Sequence, residues 1–586
     1  MVLRYLVLVV KAAIYVMVYL GARRLAGWGV SVFVYAVAVA LLGVSWPIVT
    51  TPYPNFFATA FDLAGVLLFL GAGRRVLLGC VVAGLCFGIG ATFKQTTGAF
   101  AFLAVALFLL ADDRAAGKRP GAALALVARA SRWFVLLFAA SLVVFYLYPR
   151  NPWWNFVLLS SPALVRIGWL AVRESREPPD SGHQWAGFER LVALTVSFLL
   201  PLVGYGIVYA SLGLGDEILH DVFLGLPAVT SWMVPFQQPD LTFFLWQVAV
   251  GGAVASVVCG RSSDSPRAVL GARLSLVLSV AAVAAVVVRG WPAGPRQLLF
   301  WMSSDLLRSL PFWLVWLSIF GLLREWTKAR GTAAVSNRAL LVFTLYASMA
   351  VLWLYPAADI WHIFAILPSC LPLLAHHLRV FSGAPEERVH RQFVERLASG
   401  ALTGVLGLAL MLPAFLDLVG VLREGRAFDV PIPRATGVRG APGLYSSNGR
   451  DADVVRYLRD ADRRDEPVFV LSAEPLFYFL ADRVSPVQKI EFVLYSVAND
   501  VMEADDGRAF AGDHLIREIQ RTRPLIVDDD WDDRGQRLRQ AYPRLDRFLR
   551  RHYRVEKTFG AYRVWRWHAR PDDDPPVRLG VAPRRG

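Results

Sequence analysis

Long apolar runs dominate this sequence and limit what it can fold into. As a helix, a run of about 20 apolar residues matches the hydrocarbon core of a bilayer. About fourteen runs reach or approach that length, at about 2–20, 29–49, 55–72, 76–91, 98–111, 133–148, 153–172, 191–211, 241–259, 268–289, 312–323, 339–355, 359–378 and 400–422. Together with a hydrophobic content of 56% and a mean hydropathy of +0.46, they predict a mostly α, polytopic transmembrane helix bundle.

Charges in the connecting loops predict an orientation for this bundle. If the runs alternate across the membrane, one set of loops holds 22 Lys and Arg residues, and the other holds only Lys94, Arg150, Arg289, Arg296 and Arg308. Cytoplasmic loops are the ones enriched in Lys and Arg. We therefore expect a membrane protein whose polar part, after Leu422, lies outside the cytoplasm, in a periplasm-like space. An even number of runs also places Met1 outside, so a further helix upstream of this sequence is expected.

The net charge of +15 comes mainly from the apolar part. Residues 1–424 include 32 Lys and Arg against 20 Asp and Glu. Loops that flank membrane helices explain such an excess, so no nucleic-acid partner is expected. The cysteines lie in apolar stretches without metal-ligand spacing. No metal site is predicted from the spacing of any side chains, although a divalent metal stays possible.

The polar part of the chain predicts a C-terminal extracytoplasmic α/β domain. Its pattern indicates a helix at 451–465, a strand at 466–472, helices at 474–483 and 514–523, a strand at 524–530, and a closing hairpin around Gly560. The predicted organisation is a transmembrane domain over 1–424, a linker over 425–449, the α/β domain over 450–570 and a disordered tail over 571–586.

Lys94 stands out because it separates two apolar runs, in the stretch GIGATFKQTTGAF at 88–100. A charged side chain facing lipid costs on the order of 2.5 kcal/mol or more, so it should face protein, water or a ligand. An ammonium suits a phosphate oxygen, and Gln95 lies beside it. The flanking Gly88, Gly90 and Gly98 would let a ligand approach the backbone. The alternative is a lysine that snorkels from a helix end to the interface.

A second polar group lies at 355–372, YPAADIWHIFAILPSCLP. Tyr355, Asp359 and His362 are expected at the outer mouth of a late helix. His362 could bind a phosphate or be oriented by Asp359, although Asp359 could equally cap the helix. Arg4 and Lys11, seven residues apart on the first helix, are further candidates for contact with an anion. All of these side chains are predicted on the same side of the membrane.

Several stretches resemble GT-C glycosyltransferases, in particular the family-39-like group. LLGCVVAGLCFGIGATFKQTTGAF is similar to the glycine-rich helix pair with its lysine, and DIWHIFAILPSCLPLLAHHL to a late helix of that group. The polar part resembles the extracytoplasmic domain of bacterial members. The resemblance implies transfer of a sugar from a polyprenyl-phosphate carrier to an extracytoplasmic acceptor. Lys94 would match the lysine that contacts the carrier phosphate, and His362 the late-helix contact.

The same family carries an acidic residue in the loop after its first helix, as base or metal contact. This sequence starts with what resembles the second helix, so that loop is not among its residues. Asp62 lies within an apolar run, and a structural role, protonated or paired with an arginine, is expected for it. Asp216, Glu217 and Asp221, in a large outside loop, remain as weak catalytic candidates.

Two other classes of protein stay open. A transporter or flippase for a lipid-linked sugar would also bury charges in a helix bundle, although repeated halves typical of transporters are not seen in the sequence. A catalytically incomplete GT-C-like protein that binds lipid or acts as a scaffold would explain the missing acidic loop.

Overall fold

The structure is a computed structural model that describes somewhat more than half of the chain. The described residues are 2–41, 54–73, 75–111, 122–147, 153–176, 182–213, 215, 244–245, 247–252, 255, 266–290, 307, 309–323, 337–354, 360–382, 451–459, 466–471, 476–481, 483, 485–486, 515–529, 543–560 and 562–568. The chain divides into two compact units. The elements up to residue 382 belong to one unit, and those from residue 451 belong to the other.

The first unit is a bundle of apolar helices. Its helices are α1 Val2–Leu25, α2 Trp28–Val39, α3 Pro54–Gly71, α4 Val76–Phe93, α5 Gln95–Ala111, α6 Ala122–Leu147, α7 Trp153–Arg176, α8 Gly182–Ser211, α9 Pro266–Gly290, α10 Ser309–Leu323, α11 Arg338–Leu352 and α12 Ile360–Ser382.

Among the described helices, six are long and apolar enough to cross a membrane. They contain Leu6–Leu25, Pro54–Gly71, Val76–Phe93, Ala123–Leu147, Gly187–Ser211 and Ile363–Val380. The chain is therefore an integral membrane protein, and the predicted helical bundle is confirmed. The predicted run at 400–422 lies outside the described residues, as does most of the run at 241–259.

Close helix packing in the bundle depends on glycines of α4 and α5. A Cβ added at Gly84 would lie 2.5 Å from the Leu194 carbonyl oxygen of α8, and one at Gly88 would overlap the Phe198 carbonyl oxygen. A Cβ at Gly98 would overlap the Phe87 carbonyl oxygen. Glycine is needed at these positions because the backbones of neighbouring helices come close together there. The glycines at 88 and 98 thus serve helix packing, and not the approach of a ligand.

The second unit contains a four-stranded sheet with helices on both faces. Its elements are α13 Asp451–Leu458, β1 Val468–Val470, α14 Leu476–Ala481, α15 at 515–522, β2 Leu525–Asp529, α16 Pro543–His552, β3 Tyr553–Phe559 and β4 Tyr562–Trp567. The strand order is β1-β2-β4-β3, in which β1 and β2 are parallel and the other pairs are antiparallel. The predicted α/β class of this part is confirmed.

The two faces of the sheet bury separate cores. Val468, Val527 and Val564 pack with α13 and α14, whereas Phe469 and Ile526 pack with α15 and α16. The predicted hairpin is confirmed, since β3 pairs with β4 and Gly560 has φ +63°, a backbone conformation that glycine adopts at little cost. Helix α16 was not predicted. The domain boundaries, the linker at 425–449 and the tail at 571–586 lie outside the described residues and stay predictions.

Candidate functional site

Lys94 is the residue at which α4 stops and α5 starts. Its backbone is extended, with φ −150° and ψ 104°, and its N–H donates to the Gly90 carbonyl oxygen at 3.0 Å. Its own carbonyl oxygen accepts from the Thr97 N–H at 3.2 Å and from the Thr97 hydroxyl at 2.8 Å. The backbone of Lys94 thus closes one helix and caps the next, and its side chain projects from the junction.

The Lys94 side chain lies beside the N-terminus of α5. It is half-buried, and no described residue forms an ion pair with it. Gln95, the first residue of α5, is exposed. The Thr96 hydroxyl is buried without a hydrogen-bond partner. Because the first N–H groups of a helix carry a positive potential, the ammonium adds positive charge to a position that is already positive, and a bound anion would be favoured there.

Lys11 of α1 lies near the same point. Its side chain is 4% exposed, and Nζ lies 4.5 Å from the centroid of the Phe56 ring on α3. The next residue, Phe57, stacks on Phe93 with ring centroids 5.3 Å apart. Lys11 and the Phe93–Lys94 junction therefore flank the first turns of α3. In the described part of the chain, no carboxylate pairs with Lys11.

Other predicted site residues can be placed only in part. Arg4 lies on α1, two helical turns before Lys11, and His362 lies in the first turn of α12. The structure describes the backbone of these two residues but not their side chains. The remaining candidates, Tyr355, Asp359, Asp216, Glu217 and Asp221, lie outside the described residues altogether. Their proposed roles stay predictions.

A small cavity lies among α3, α5, α11 and α12. Its lining is Thr59, Asp62, Thr97, Phe100, Tyr346, Ala350, Trp353, Ala365, Ile366 and Ser369. The volume in which the centre of a water molecule can lie is about 10 Å³. This is roughly the space that one water molecule needs. Thr97 lies one turn after Lys94, and Ala365 lies one turn after His362, so the cavity is within a helical turn of two predicted site residues.

Asp62 is the charged residue of this cavity. Its side chain is 1% exposed, and its Oδ1 atom has no hydrogen-bond partner. A Cβ added at Gly90 would lie 2.6 Å from that oxygen, so the glycine leaves the space that the carboxyl occupies. None of the described arginines pairs with Asp62, so the expected arginine partner is not found in that part of the chain. A polar stripe of Asn55, Thr59 and Asp62 at helical spacing is the signal that points to this face of α3.

A further buried cation, Arg166 of α7, was not singled out from the sequence. Its side chain is 1% exposed, and Nε and Nη2 have no hydrogen-bond partner. Its guanidinium carbon lies 5.8 Å from the centroid of the Trp169 ring. A charged residue within a membrane-spanning bundle is a functional candidate by default, but no cavity is described around this one.

No protein-family model matches this chain, and no curated protein does. Solved structures of the oligosaccharyltransferase AglB from Archaeoglobus fulgidus are similar to it. The complex with an inhibitory peptide and a dolichol-phosphate is 11% identical, with a TM-score of 0.39, over 98% of this chain and 64% of that one. The complex with Zn and sulfate is 12% identical, with a TM-score of 0.39, over 96% and 61%.

This chain therefore spans about three fifths of the length of the solved structures it matches. At such identities and TM-scores, neither the activity nor the ligands of those proteins carry over to this one. The function of this chain has to be argued from its own residues.

Proposed function

We propose that this chain is a GT-C-type membrane glycosyltransferase. It would move a sugar from a polyprenyl-phosphate carrier to an acceptor on the extracytoplasmic side of the cytoplasmic membrane. The proposal combines the sequence resemblance with the charge arrangement at the start of α5. Donor, acceptor and orientation are parts of the proposal.

The observation that carries the proposal is the placement of Lys94. A half-buried ammonium that pairs with no carboxylate of the described residues lies beside the N-terminus of α5 and the buried Thr96 hydroxyl, which has no hydrogen-bond partner there. Ammonium, helix N–H groups and a hydroxyl are all donors, which is the set that a phosphate needs. As the bond to the sugar breaks, negative charge grows on the leaving phosphate, and its attraction to these donors grows in a water-poor site.

Other residues complete the proposed lipid-phosphate site. Lys11 lies across the first turns of α3 from Lys94, and its cation stacks on Phe56 instead of a carboxylate. The further proposed contacts to the carrier are Gln95, Arg4, His362, Asp359 and Tyr355. The carboxylate that takes the acceptor's proton would come from Asp216, Glu217 or Asp221, and a divalent metal could assist it there.

Binding of a polyprenyl phosphate to the purified full chain in nanodiscs tests the site. Lys94→Ala should weaken binding about 10- to 100-fold, because a hydrogen bond to a charged group contributes roughly 1.5–3 kcal/mol. Arg75→Ala is the matched control, since it removes an exposed cation at the opposite end of the same helix. Equal binding by Lys94→Ala and Arg75→Ala would reject the phosphate site.

A transfer assay separates the enzyme from the other two classes. With a polyprenyl-phosphate sugar and an extracytoplasmic acceptor, the proposed enzyme releases the free lipid phosphate and forms a glycosylated acceptor. A lipid-binding scaffold binds the carrier and leaves the sugar on it. A flippase moves the intact carrier between leaflets, which would contradict the proposed transfer.

A further inference from the structure

We propose that the cavity beside Asp62 binds a small monovalent cation, of which Na⁺ is the best fit. The inference is independent of the proposed sugar transfer. It depends on the lining of the cavity, on its buried charge and on its size.

The two threonine hydroxyls that line the cavity donate their protons to backbone carbonyl groups. The Thr59 hydroxyl donates to the Ala365 carbonyl oxygen at 3.3 Å, and the Thr97 hydroxyl donates to the Lys94 carbonyl oxygen at 2.8 Å. Tyr346 and Ser369 also line the cavity. Each threonine oxygen thus has lone pairs left, and with the carboxyl of Asp62 they make a lining rich in acceptors. Such a lining favours a cation or a strong donor.

A cation would also compensate the negative charge of an ionised Asp62. Its side chain is buried, Oδ1 has no partner, and no described residue forms an ion pair with it. An isolated buried carboxylate is costly in a protein interior and more so within a membrane. A bound cation compensates that charge while it uses the neighbouring hydroxyl oxygens as ligands.

Charge and space together select the class of cation. One carboxylate among neutral oxygens balances a single positive charge, whereas sites for Ca²⁺ or Mg²⁺ use more carboxylates or retain several waters. No group of three or more His, Cys, Asp or Glu side chains that could hold a metal occurs in the described part of the chain. The cavity has room for about one water-sized particle. These features fit Na⁺ better than K⁺, which is larger.

Bound Na⁺ would contact several helices at once and would therefore stabilise their packing. Thr59 and Asp62 belong to α3, Thr97 to α5, Tyr346 to α11 and Ser369 to α12. A ligand that binds only the folded state raises its stability in proportion to the logarithm of its concentration above Kd. The expected signature is therefore a stability that rises with the logarithm of the Na⁺ concentration above Kd.

The test measures thermal unfolding of the purified full chain in NaCl, KCl and choline chloride at equal ionic strength. NaCl should raise Tm by a few degrees over choline chloride, in step with the logarithm of the NaCl concentration, and KCl should raise it less. Binding of radioactive ²²Na⁺ should approach one ion per chain. Equal Tm values in all three salts, together with no ²²Na⁺ binding, would overturn the proposal; they would show that Asp62 holds a proton instead.

Isosteric variants decide whether Asp62 and its neighbours hold the ion. Asp62→Asn should abolish both the Na⁺-dependent rise in Tm and ²²Na⁺ binding. Thr59→Val should weaken them, while Thr59→Ser, which keeps the oxygen, should not. A Na⁺ effect that survives in Asp62→Asn would reject this location. If Asp62→Asn fails to fold, the threonine pair still gives the answer.

Lys94→Ala separates this proposal from the phosphate site. The Thr97 hydroxyl bonds the backbone carbonyl of Lys94, so the variant keeps that oxygen in place. It should lose lipid-phosphate binding and retain the Na⁺ effect. Loss of the Na⁺ effect together with phosphate binding would show that the two sites are not separate, and it would overturn the independence of this inference.

Discussion

The two ends of the membrane bundle differ in whether their buried or half-buried charged side chains form ion pairs. At one end, here called the paired end, Arg132 and Glu174 form a buried ion pair at 2.6 Å. Arg132 also donates to the Leu110 carbonyl oxygen at 2.8 Å, and Arg173 donates to that of Ala111 at 2.7 Å. At the other, the open end, Lys11, Asp62 and Lys94 form no ion pair with any described residue.

The position of each cation relative to the helices explains the difference. Leu110 and Ala111 end α5, so the arginines at the paired end satisfy free carbonyl groups and the negative end of a helix. Lys94 lies where α5 begins, at the positive end of the same helix. Cations of the paired end therefore stabilise the fold, whereas Lys94 gains little from the fold and is suited to an anion. Under the predicted orientation, the open end faces outward.

The largest expected effect is at the paired end. Glu174→Gln removes the carboxylate that pairs with the buried Arg132, and breaking a buried pair in this way costs roughly 3–5 kcal/mol. The free energy of unfolding, measured in mixed micelles of detergent and SDS, should fall by about that amount.

A double variant provides the control for this pair. Arg132→Met with Glu174→Met replaces both charges by apolar side chains of similar volume, so it should recover most of the lost stability. A loss below about 1 kcal/mol in Glu174→Gln would show that water reaches the pair. The two ends would then differ less in how much their charged side chains contribute to stability than the contacts indicate.

An intermediate effect is expected from Gly90→Ala at the open end. The added Cβ would lie 2.6 Å from Asp62 Oδ1, so the carboxyl must shift, at a cost of about 1–3 kcal/mol. Gly204→Ala on α8 is the control: it is also in a helix, but nothing lies within 4 Å of the new Cβ. That variant should be neutral or slightly stabilising. Equal stability of the two alanine variants would contradict the described position of Asp62.

The sequence predicts the membrane helices well because their length and apolar content are local properties. The run at 76–91, for example, becomes Val76–Phe93 and ends where Lys94 interrupts it. The closing hairpin was predictable for the same reason, since Gly560 separates two strand-like segments. Helix α16 was missed because its sequence, PRLDRFLRRH, is mostly charged, and it is held by the packing of Leu545 and Leu549 under the sheet.

The candidate sites were harder to predict because they depend on contacts between helices. The sequence shows a carboxyl at position 62, but the space beside Gly90 and the hydroxyls of Tyr346 and Ser369 come from three other helices. It likewise shows glycines around Lys94, but their use in packing against Phe198 and Phe87 appears only when the helices are assembled. Lys94 itself was found because a break in an apolar pattern is visible locally.

The smallest expected effect on stability is from Lys11→Met. Methionine keeps most of the apolar contact with Phe56, and the substitution removes the desolvation cost of a buried ammonium that pairs with no described carboxylate. Stability should therefore stay level or rise by about 1 kcal/mol, although a favourable contact of the cation with the Phe56 ring is lost. Polyprenyl-phosphate binding should fall at the same time. A marked loss of stability with unchanged binding would instead make Lys11 a structural cation like those of the paired end.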